Sequence, residues 1–400
     1  MELKHKIGLY LSYFLSMAGL GFILPFLPLY LGERGISDQS LGIIWTLGAL
    51  TSLLQLHCGV IADRTGWRRP MLLASLGILA ISGLAISFVS NFWLLVFLVI
   101  LFSENGLVRG LVESLSGAEA TALAPEGKEA RALSALRFWR PAGILIVTII
   151  CGWLLAKLGL ETAFLLVVCL QFLSFFIAIS MMGAKVEKVT SIKLGAINEK
   201  TTPALSNLIR DPILCTFITA MILFHFAGAP AGLYFSLFVS RELMAPESFI
   251  ALTFIVDMAA WLIVVLPTGW LADRYGWKPL LIMAWLLLAV RNGMLSVATE
   301  HWQLIVLKIF DGIANGMFAV LAASWVVKWL GDRNRSAEAH AIVGVSLVLG
   351  SALGTLASGL TVEWLGYRDL FAALAVAALI ATIFLLRVPE IRDAKVSKVG

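Results

Sequence analysis

Apolar positions in this chain gather into long runs, separated by short polar breaks that carry most of the charge and turn-forming residues. A bilayer core of about 30 Å takes roughly 20 residues of α-helix at 1.5 Å rise each. Twelve runs reach that length, at about 7–31, 41–62, 70–89, 93–115, 131–156, 160–183, 212–239, 247–272, 279–297, 302–326, 337–362 and 367–387. The first contains Pro25 and Pro28 and is followed by polar sequence without a small-residue cleavage site, so it reads as a retained span and not a removable signal peptide. The pattern predicts an all-α membrane protein of twelve transmembrane helices. The longest polar stretch, 184–211, holds Lys185, Glu187, Lys188, Lys193, Glu199 and Lys200. It predicts a six-helix bundle at 1–183, a cytoplasmic linker at 184–211, and a second six-helix bundle with a short cytoplasmic tail at 212–400.

Composition sharpens this reading. The chain is 60% hydrophobic and 14% charged, with a mean hydropathy of +0.93, whereas soluble domains carry about 25% charge. An ordinary cytosolic enzyme is excluded. If the N-terminus lies inside, the outer segments keep only Arg34, Lys157, Arg241 and Arg368, while Lys4, Lys6, Arg64, Arg68, Arg69 and most other loop cations lie inside. Cytoplasmic loops retain positive charge, so a multi-pass protein of the cell inner membrane with both termini cytoplasmic is expected. The net charge of +5 then reflects this bias and anionic membrane lipid, with no nucleic acid as partner. Cys58, Cys151, Cys169 and Cys215 lie in or beside apolar runs without disulfide or zinc spacing and read as packed thiols. No cofactor or metal is expected, nor any enzymatic activity, and the chain is expected to act as a monomer.

A repeat relates the halves. Gly59-Val-Ile-Ala-Asp63-Arg64-Thr-Gly66-Trp67-Arg68-Arg69 joins spans two and three, and Gly269-Trp-Leu-Ala-Asp273-Arg274-Tyr-Gly276-Trp277-Lys278 joins spans eight and nine. A second echo pairs Gly152-Trp-Leu-Leu-Ala-Lys-Leu-Gly159 with Gly359-Leu-Thr-Val-Glu-Trp-Leu-Gly366. Parallel repeats of this kind mark transporters. In the first motif glycines allow close packing and a tight turn, and Asp63 is suited to hydrogen bonds or to a helix N-terminus. The sequence here resembles the major facilitator superfamily over essentially its whole length. That resemblance implies a conformational latch formed by Gly59, Asp63, Arg64, Gly66 and Arg68, repeated at Asp273, Arg274 and Gly276, and a transport cycle in which the two halves rock. The other reading of the arginines is that they merely enforce topology.

Charges inside the spans point to function, because an ionisable group at bilayer depth costs about 2.5–3.5 kcal/mol and so usually has partners or faces a cavity. Arg109, Arg137, Arg140, Arg291 and Lys308 stand against Glu104, Glu113, Glu119, Asp257 and Asp311. Arg109 and Glu113, four apart, share a helix face. Arg137-Phe138-Trp139-Arg140 places two guanidinium groups beside aromatic rings, which suits a polar or anionic ligand with a flat apolar face; the alternative is a structural salt-bridge network between spans four and five. Lys308 and Asp311, three apart, join Asp257 and Arg291 as a titratable cluster suited to loading and releasing a proton. His57, Gln55 and His225, with Trp45 and Trp261, are lesser candidates for the pathway. Trp93, Trp302 and Trp364 read as interfacial anchors.

A narrower resemblance rests on Arg291-Asn-Gly-Met, Lys308-Ile-Phe-Asp311 and Arg137-Phe-Trp, with Glu119 eighteen residues before the last. It is to the branch containing the lactose and phenylpropionate permeases. It implies that Glu119 and Arg137 contact substrate and that Arg291, Lys308 and Asp311 couple transport to protons; the residues themselves add Arg140, Trp139, Arg109 and Glu113 as candidate substrate contacts and Asp257 as a candidate proton carrier. Asp311 stands where that branch has a histidine, Ala314 where the lactose permease has its proton-carrying glutamate, and Asp257 one residue off the branch's span-eight glutamate. Galactoside specificity is therefore not implied. The expected function is proton-coupled symport of a small polar or anionic solute, such as a sugar, nucleoside or aromatic acid. The alternative is an efflux antiporter for amphipathic drugs or lipids.

Overall fold

The computed structural model describes residues 2–124, 129–182, 211–330 and 336–390. The linker expected at 184–211 lies outside the described residues apart from Asp211. The helices are α1 Glu2–Ala18, α2 Leu20–Glu33, α3 Asp38–Thr51, α4 Gln55–Thr65, α5 Arg68–Phe88, α6 Phe92–Phe102, α7 Leu107–Ala122, α8 Glu129–Met182, α9 Pro212–Arg241, α10 Glu247–Tyr275, α11 Trp277–Val297, α12 His301–Leu330 and α13 Ser336–Leu386. Ten stretches among the described residues are long and apolar enough to cross a membrane. Two of them bend inside: α8 at Gly159 (φ 81°, ψ 175°) and α13 at Gly366 (φ 74°, ψ 173°). Only glycine takes that backbone conformation readily. Each bend divides its helix into two spans, so ten plus two gives the twelve that the hydropathy pattern predicts. The matching angles also show that the short Gly-terminated echo in the sequence is a structural repeat.

Two spans depart from the expected continuous helix. The fourth, expected over 93–115, is α6 and α7 with an unwound step at 103–106, and the second is α3 and α4 joined by a 3-10 turn, Ser52–Leu54. Backbone groups at bilayer depth have no water to bond and must find partners in the protein. At the unwound step the Leu107 N–H donates to Thr51 Oγ1 (3.2 Å) and the Phe102 carbonyl accepts from Arg109 Nη2 (3.4 Å). The polar sequence Ser103-Glu104-Asn105-Gly106 supplies the turn formers; the apolar count around it hides them.

By packing, the chain forms two compact units, one of residues 1–195 with 239–252, the other of 196–238 with 253–400. In the first, α1 and α2 lie against α8. Pro25 has no N–H, which leaves the Gly21 carbonyl without its helical donor; Thr148 Oγ1 stands 2.9 Å from it, its one proton shared with the Ile144 carbonyl at 2.8 Å. The α9–α10 connection packs with this unit, where Arg241 Nη1 donates to both oxygens of Asp38 (2.8 and 2.9 Å).

The second unit is built on an aromatic core in which Phe224 stacks on Phe318 and Phe217 lies against Trp325. Its helices approach on glycine faces: a Cβ at Gly350 or Gly354 of α13 would stand 2.3 Å from the carbonyls of Ile222 or Phe226 on α9. A Cβ at Gly312 of α12 would stand 2.2 Å from the Asp257 carbonyl on α10. Trp93, Trp302 and Trp364 are exposed, as interfacial anchors would be. None of the four cysteines is in a disulfide; Cys151 is buried and Cys169 exposed.

Overpacking a helix contact costs about 1–3 kcal/mol, so Gly354→Val should lower the thermal midpoint of the detergent-purified protein. A Cβ at Gly232, on α9, would meet nothing within 4 Å among the described residues. Gly232→Ala should hold the midpoint or raise it, since helical glycine forfeits ~0.5–1 kcal/mol of stability relative to alanine.

Candidate functional site

The Gly312 contact sets α12 against α10 closely enough for their charged side chains to meet. Lys308 Nζ donates to Asp257 Oδ2 and to Asp311 Oδ2, both at 3.2 Å, and lies 4.4 and 4.2 Å from the ring centroids of Phe235 and Phe254. Arg291, on α11, donates through Nη2 to Asp311 Oδ1 and through Nη1 to Asn292 Oδ1 (2.8 Å). Asn292 Nδ2 in turn donates to the Ala227 carbonyl on α9, and Asn315 Nδ2 to Asp311 Oδ1 at 3.0 Å. All four charged residues are buried. The structure thus brings together Asp257, Arg291, Lys308 and Asp311 in one neutral, water-poor cluster. Removing one partner of such a cluster leaves a buried charge, at a cost of about 3–5 kcal/mol.

Three residues to which the sequence reading gave no role complete the cluster: Gly312, Asn292 and Asn315. A signal existed for each. Gly312-x-x-x-Gly316 is a close-packing pattern, Asn292 adjoins Arg291, and Asn315 stands one turn beyond Asp311.

In the first unit the charges pair differently from the pattern implied by resemblance. Glu119 is buried, accepts from Arg69 Nε at 2.7 Å, and lies 2.8 Å from His5 Nε2. Arg137 is exposed and has no ion pair among the described residues, so the structure does not bring it to Glu119. Arg109 does not meet Glu113. It is buried and donates to the Ser16 carbonyl (2.6 Å) and the Phe102 carbonyl, with Nε unpartnered among the described residues. The Phe102 carbonyl sits in the last turn of α6, where helical donors run out, and the Ser16 carbonyl also accepts from Gln171 Nε2 at 3.2 Å.

Glu113 instead accepts from Arg140 Nη1 at 2.7 Å, and this pair is part-exposed. Beside it Trp139 meets Phe14 edge-on, with centroids 5.7 Å apart, and the buried Tyr13 hydroxyl has no partner among the described residues. Glu113, Arg140, Trp139 and Tyr13 therefore form a polar patch with an aromatic wall and a spare donor.

His225 is packed edge-on against Phe224 and Phe318, its buried Nε2 without a partner among the described residues. Gln55 lies against Gly110 of α7, and His57 is exposed. Trp261 is half-buried, its backbone against Gly312 and Gly316. Trp45 is buried.

The repeated loop motif is realised with one difference. Gly66 ends α4 in the left-handed conformation (φ 72°, ψ 15°), whereas Gly276 (φ 90°, ψ 166°) leads straight into α11. A Cβ at Gly59 or Gly269 would meet nothing within 4 Å among the described residues, whereas at Gly276 it would stand 2.6 Å from a Glu390 carboxylate oxygen. Arg68 is half-buried at the start of α5. Arg274 lies over Trp270 and Tyr275. The Trp277 and Lys278 N–H groups donate to the Glu390 carboxylate at 2.9 and 3.1 Å, a negative charge on the N-terminus of α11. The side chains of Asp63, Arg64 and Asp273 lie outside the described residues.

Comparisons with known proteins agree with this architecture. The model of the MFS_1 like family matches residues 7–373. The multidrug resistance protein MdtG of Proteus mirabilis (strain HI4320) is 28% identical over 325 residues, 78% of each chain. The multi-drug resistance efflux pump PmrA of Streptococcus pneumoniae serotype 4 is 24% identical over 412 residues, covering 98% of this chain and all of the pump. Among solved structures, the nucleoside transporter NupG superposes with a TM-score of 0.76 at 14% identity over 96% of this chain and 98% of its own. The peptide transporter POT in complex with sulfate gives 0.74 at 12%, over 96% and 94%. Twelve spans in a repeated arrangement, the duplicated loop motif and the family match lead to one statement: the chain belongs to the MFS_1 like family of the major facilitator superfamily, a family of multi-pass membrane transporters.

Proposed function

We propose that the chain is a proton-coupled secondary transporter of the cell inner membrane, with both termini cytoplasmic, that moves a small polar or anionic solute by alternating access. The observation that carries this is the buried cluster of Asp257, Arg291, Lys308 and Asp311. Its formal charges cancel, so one added proton changes the net charge of a water-poor site by a full unit. A change of that size biases any two-state equilibrium in which the states solvate the cluster differently. The Glu113–Arg140 pair, with Tyr13 and Trp139, supplies the cargo contacts: a bidentate-capable guanidinium, a carboxylate, a hydroxyl and an aromatic wall. Asymmetry of Lys and Arg supports the orientation.

A second reading, proton-driven extrusion of amphipathic compounds, is favoured by what MdtG and PmrA are named for. The same cluster serves either direction, since fold does not decide cargo.

In proteoliposomes with an imposed gradient of one pH unit, a transported solute should accumulate about tenfold per coupled proton. A panel of lactose, uridine, phenylpropionate and ethidium spans both readings, and the side that accumulates distinguishes import from extrusion. Flux indifferent to the gradient for every solute carried would remove the proton from the mechanism. Asp257→Asn and Asp311→Asn, made singly, should yield at least one protein that exchanges solute in counterflow but no longer concentrates it.

For the cargo contacts, Arg140→Lys should weaken affinity by about tenfold, or 1.4 kcal/mol, because an ammonium replaces a planar fork. An unchanged affinity assigns the Glu113–Arg140 pair to helix packing alone.

A further inference from the structure

The two carboxylates of the buried cluster are not equivalent, and the geometry points to Asp257 as the group that takes up the proton, with Asp311 as the fixed anion that keeps the cluster assembled; we propose this division of roles, which rests on the proton-coupled reading above. Asp311 is held on both oxygens. Its Oδ1 accepts from Arg291 and from Asn315, and its Oδ2 from Lys308. Two of those donors carry full positive charge, and charge-assisted hydrogen bonds are about twice as strong as neutral ones. A proton arriving on Asp311 would have to displace one of them and strand it in a dry interior.

Asp257 accepts from Lys308 alone among the described residues, on Oδ2. When a proton from bulk water forms an O–H bond on its carboxylate, Lys308 loses one acceptor and keeps Asp311 Oδ2, 3.2 Å away. No cation is left unpaired. The reverse step returns the proton to water and restores the Lys308–Asp257 contact.

Access favours the same residue: the Asp257 side chain is 10% exposed, against 6% for Asp311 and 3% for both Arg291 and Lys308. The groups facing Asp257 are Lys308 and Asp311 from α12 and Arg291 from α11, with Phe235 of α9 and Phe254 of its own helix closing the space around Lys308. The Gly312 contact matters here as well. It fixes the α12 backbone against the Asp257 carbonyl, so the Lys308 ammonium has two carboxylates within reach and can let go of one.

Asn315 and Asn292 are positioning residues in this arrangement. Asn315 adds a neutral donor to the fixed anion, and Asn292 tethers Arg291 to the α9 backbone at Ala227.

The test needs no cargo. Acid-minus-alkaline infrared difference spectra of the full-length protein in lipid membranes, with isotope-labelled aspartate, report the C=O stretch of a buried aspartic acid as it gains its proton. Wild type should show this band. Asp257→Asn should abolish it. Asp311→Asn combined with Arg291→Gln, which removes a balanced pair and leaves Lys308 with Asp257, should keep it. Asp257→Glu retains a carboxylate beside Lys308 and should replace the aspartate band with an unlabelled glutamate band. Survival of the aspartate band in Asp257→Asn, or its loss in the Asp311/Arg291 double variant, overturns the assignment, as does a wild-type protein without the band. Because solute plays no part, such a result counts against Asp257, whereas wild-type vesicles indifferent to a pH gradient count against proton coupling itself.

Discussion

A charge or a bare peptide group buried among lipid tails has no water to turn to, and most of the distinctive contacts in this protein answer that constraint. Two cations and two carboxylates in α10, α11 and α12 meet one another because none of them is tolerable alone. Arg109 shows a different solution. It stands beyond ion-pair reach of any described carboxylate and binds instead the Ser16 carbonyl near the end of α1 and the Phe102 carbonyl that ends α6. Its charge is spread over backbone dipoles, and in exchange it covers the carbonyl that the unwound step leaves open at Phe102.

Close backbone approach is what makes these solutions geometrically available. Gly312 lets α12 press against Asp257, and Gly350 and Gly354 let α13 press against α9. Without a hydrophobic force between helices in lipid, packing of small residues and interhelical hydrogen bonds hold them together. The same contacts that stabilise the second unit therefore set the distances within its charged cluster. Structure and chemistry are not separable at that point: a bulkier residue at 312 would move a carboxylate as well as a helix.

Much of the architecture was legible from the chain because spans, loop charges and the duplicated motif are local features, each contained within some thirty residues. Lys308 and Asp311, three apart on one helix, were legible for the same reason, and Arg291 and Asp257 joined them by depth in the membrane. Glu119 was not. The resemblance implied that it meets substrate together with Arg137; the partners it has here, His5 and Arg69, come from α1 and α5, and helix spacing carries no information about which distant helix lies alongside. The unwound step at 103–106 was written in Ser103, Asn105 and Gly106, but a hydropathy average over twenty positions cannot see four. Glu113 and Arg140 lay among the candidates, and only the packing of α7 on α8 makes them partners.

The hydroxyl of Thr148 on the Gly21 carbonyl bears on how the chain enters the membrane. Pro25 leaves that carbonyl bare when the first span is made, and its donor belongs to a span synthesised more than a hundred residues later. An unsatisfied carbonyl in hydrocarbon costs several kcal/mol. The first span is thus an incomplete piece of membrane structure, best kept beside the insertion machinery, or near water, until the fifth arrives. For this backbone group the first span depends on the fifth.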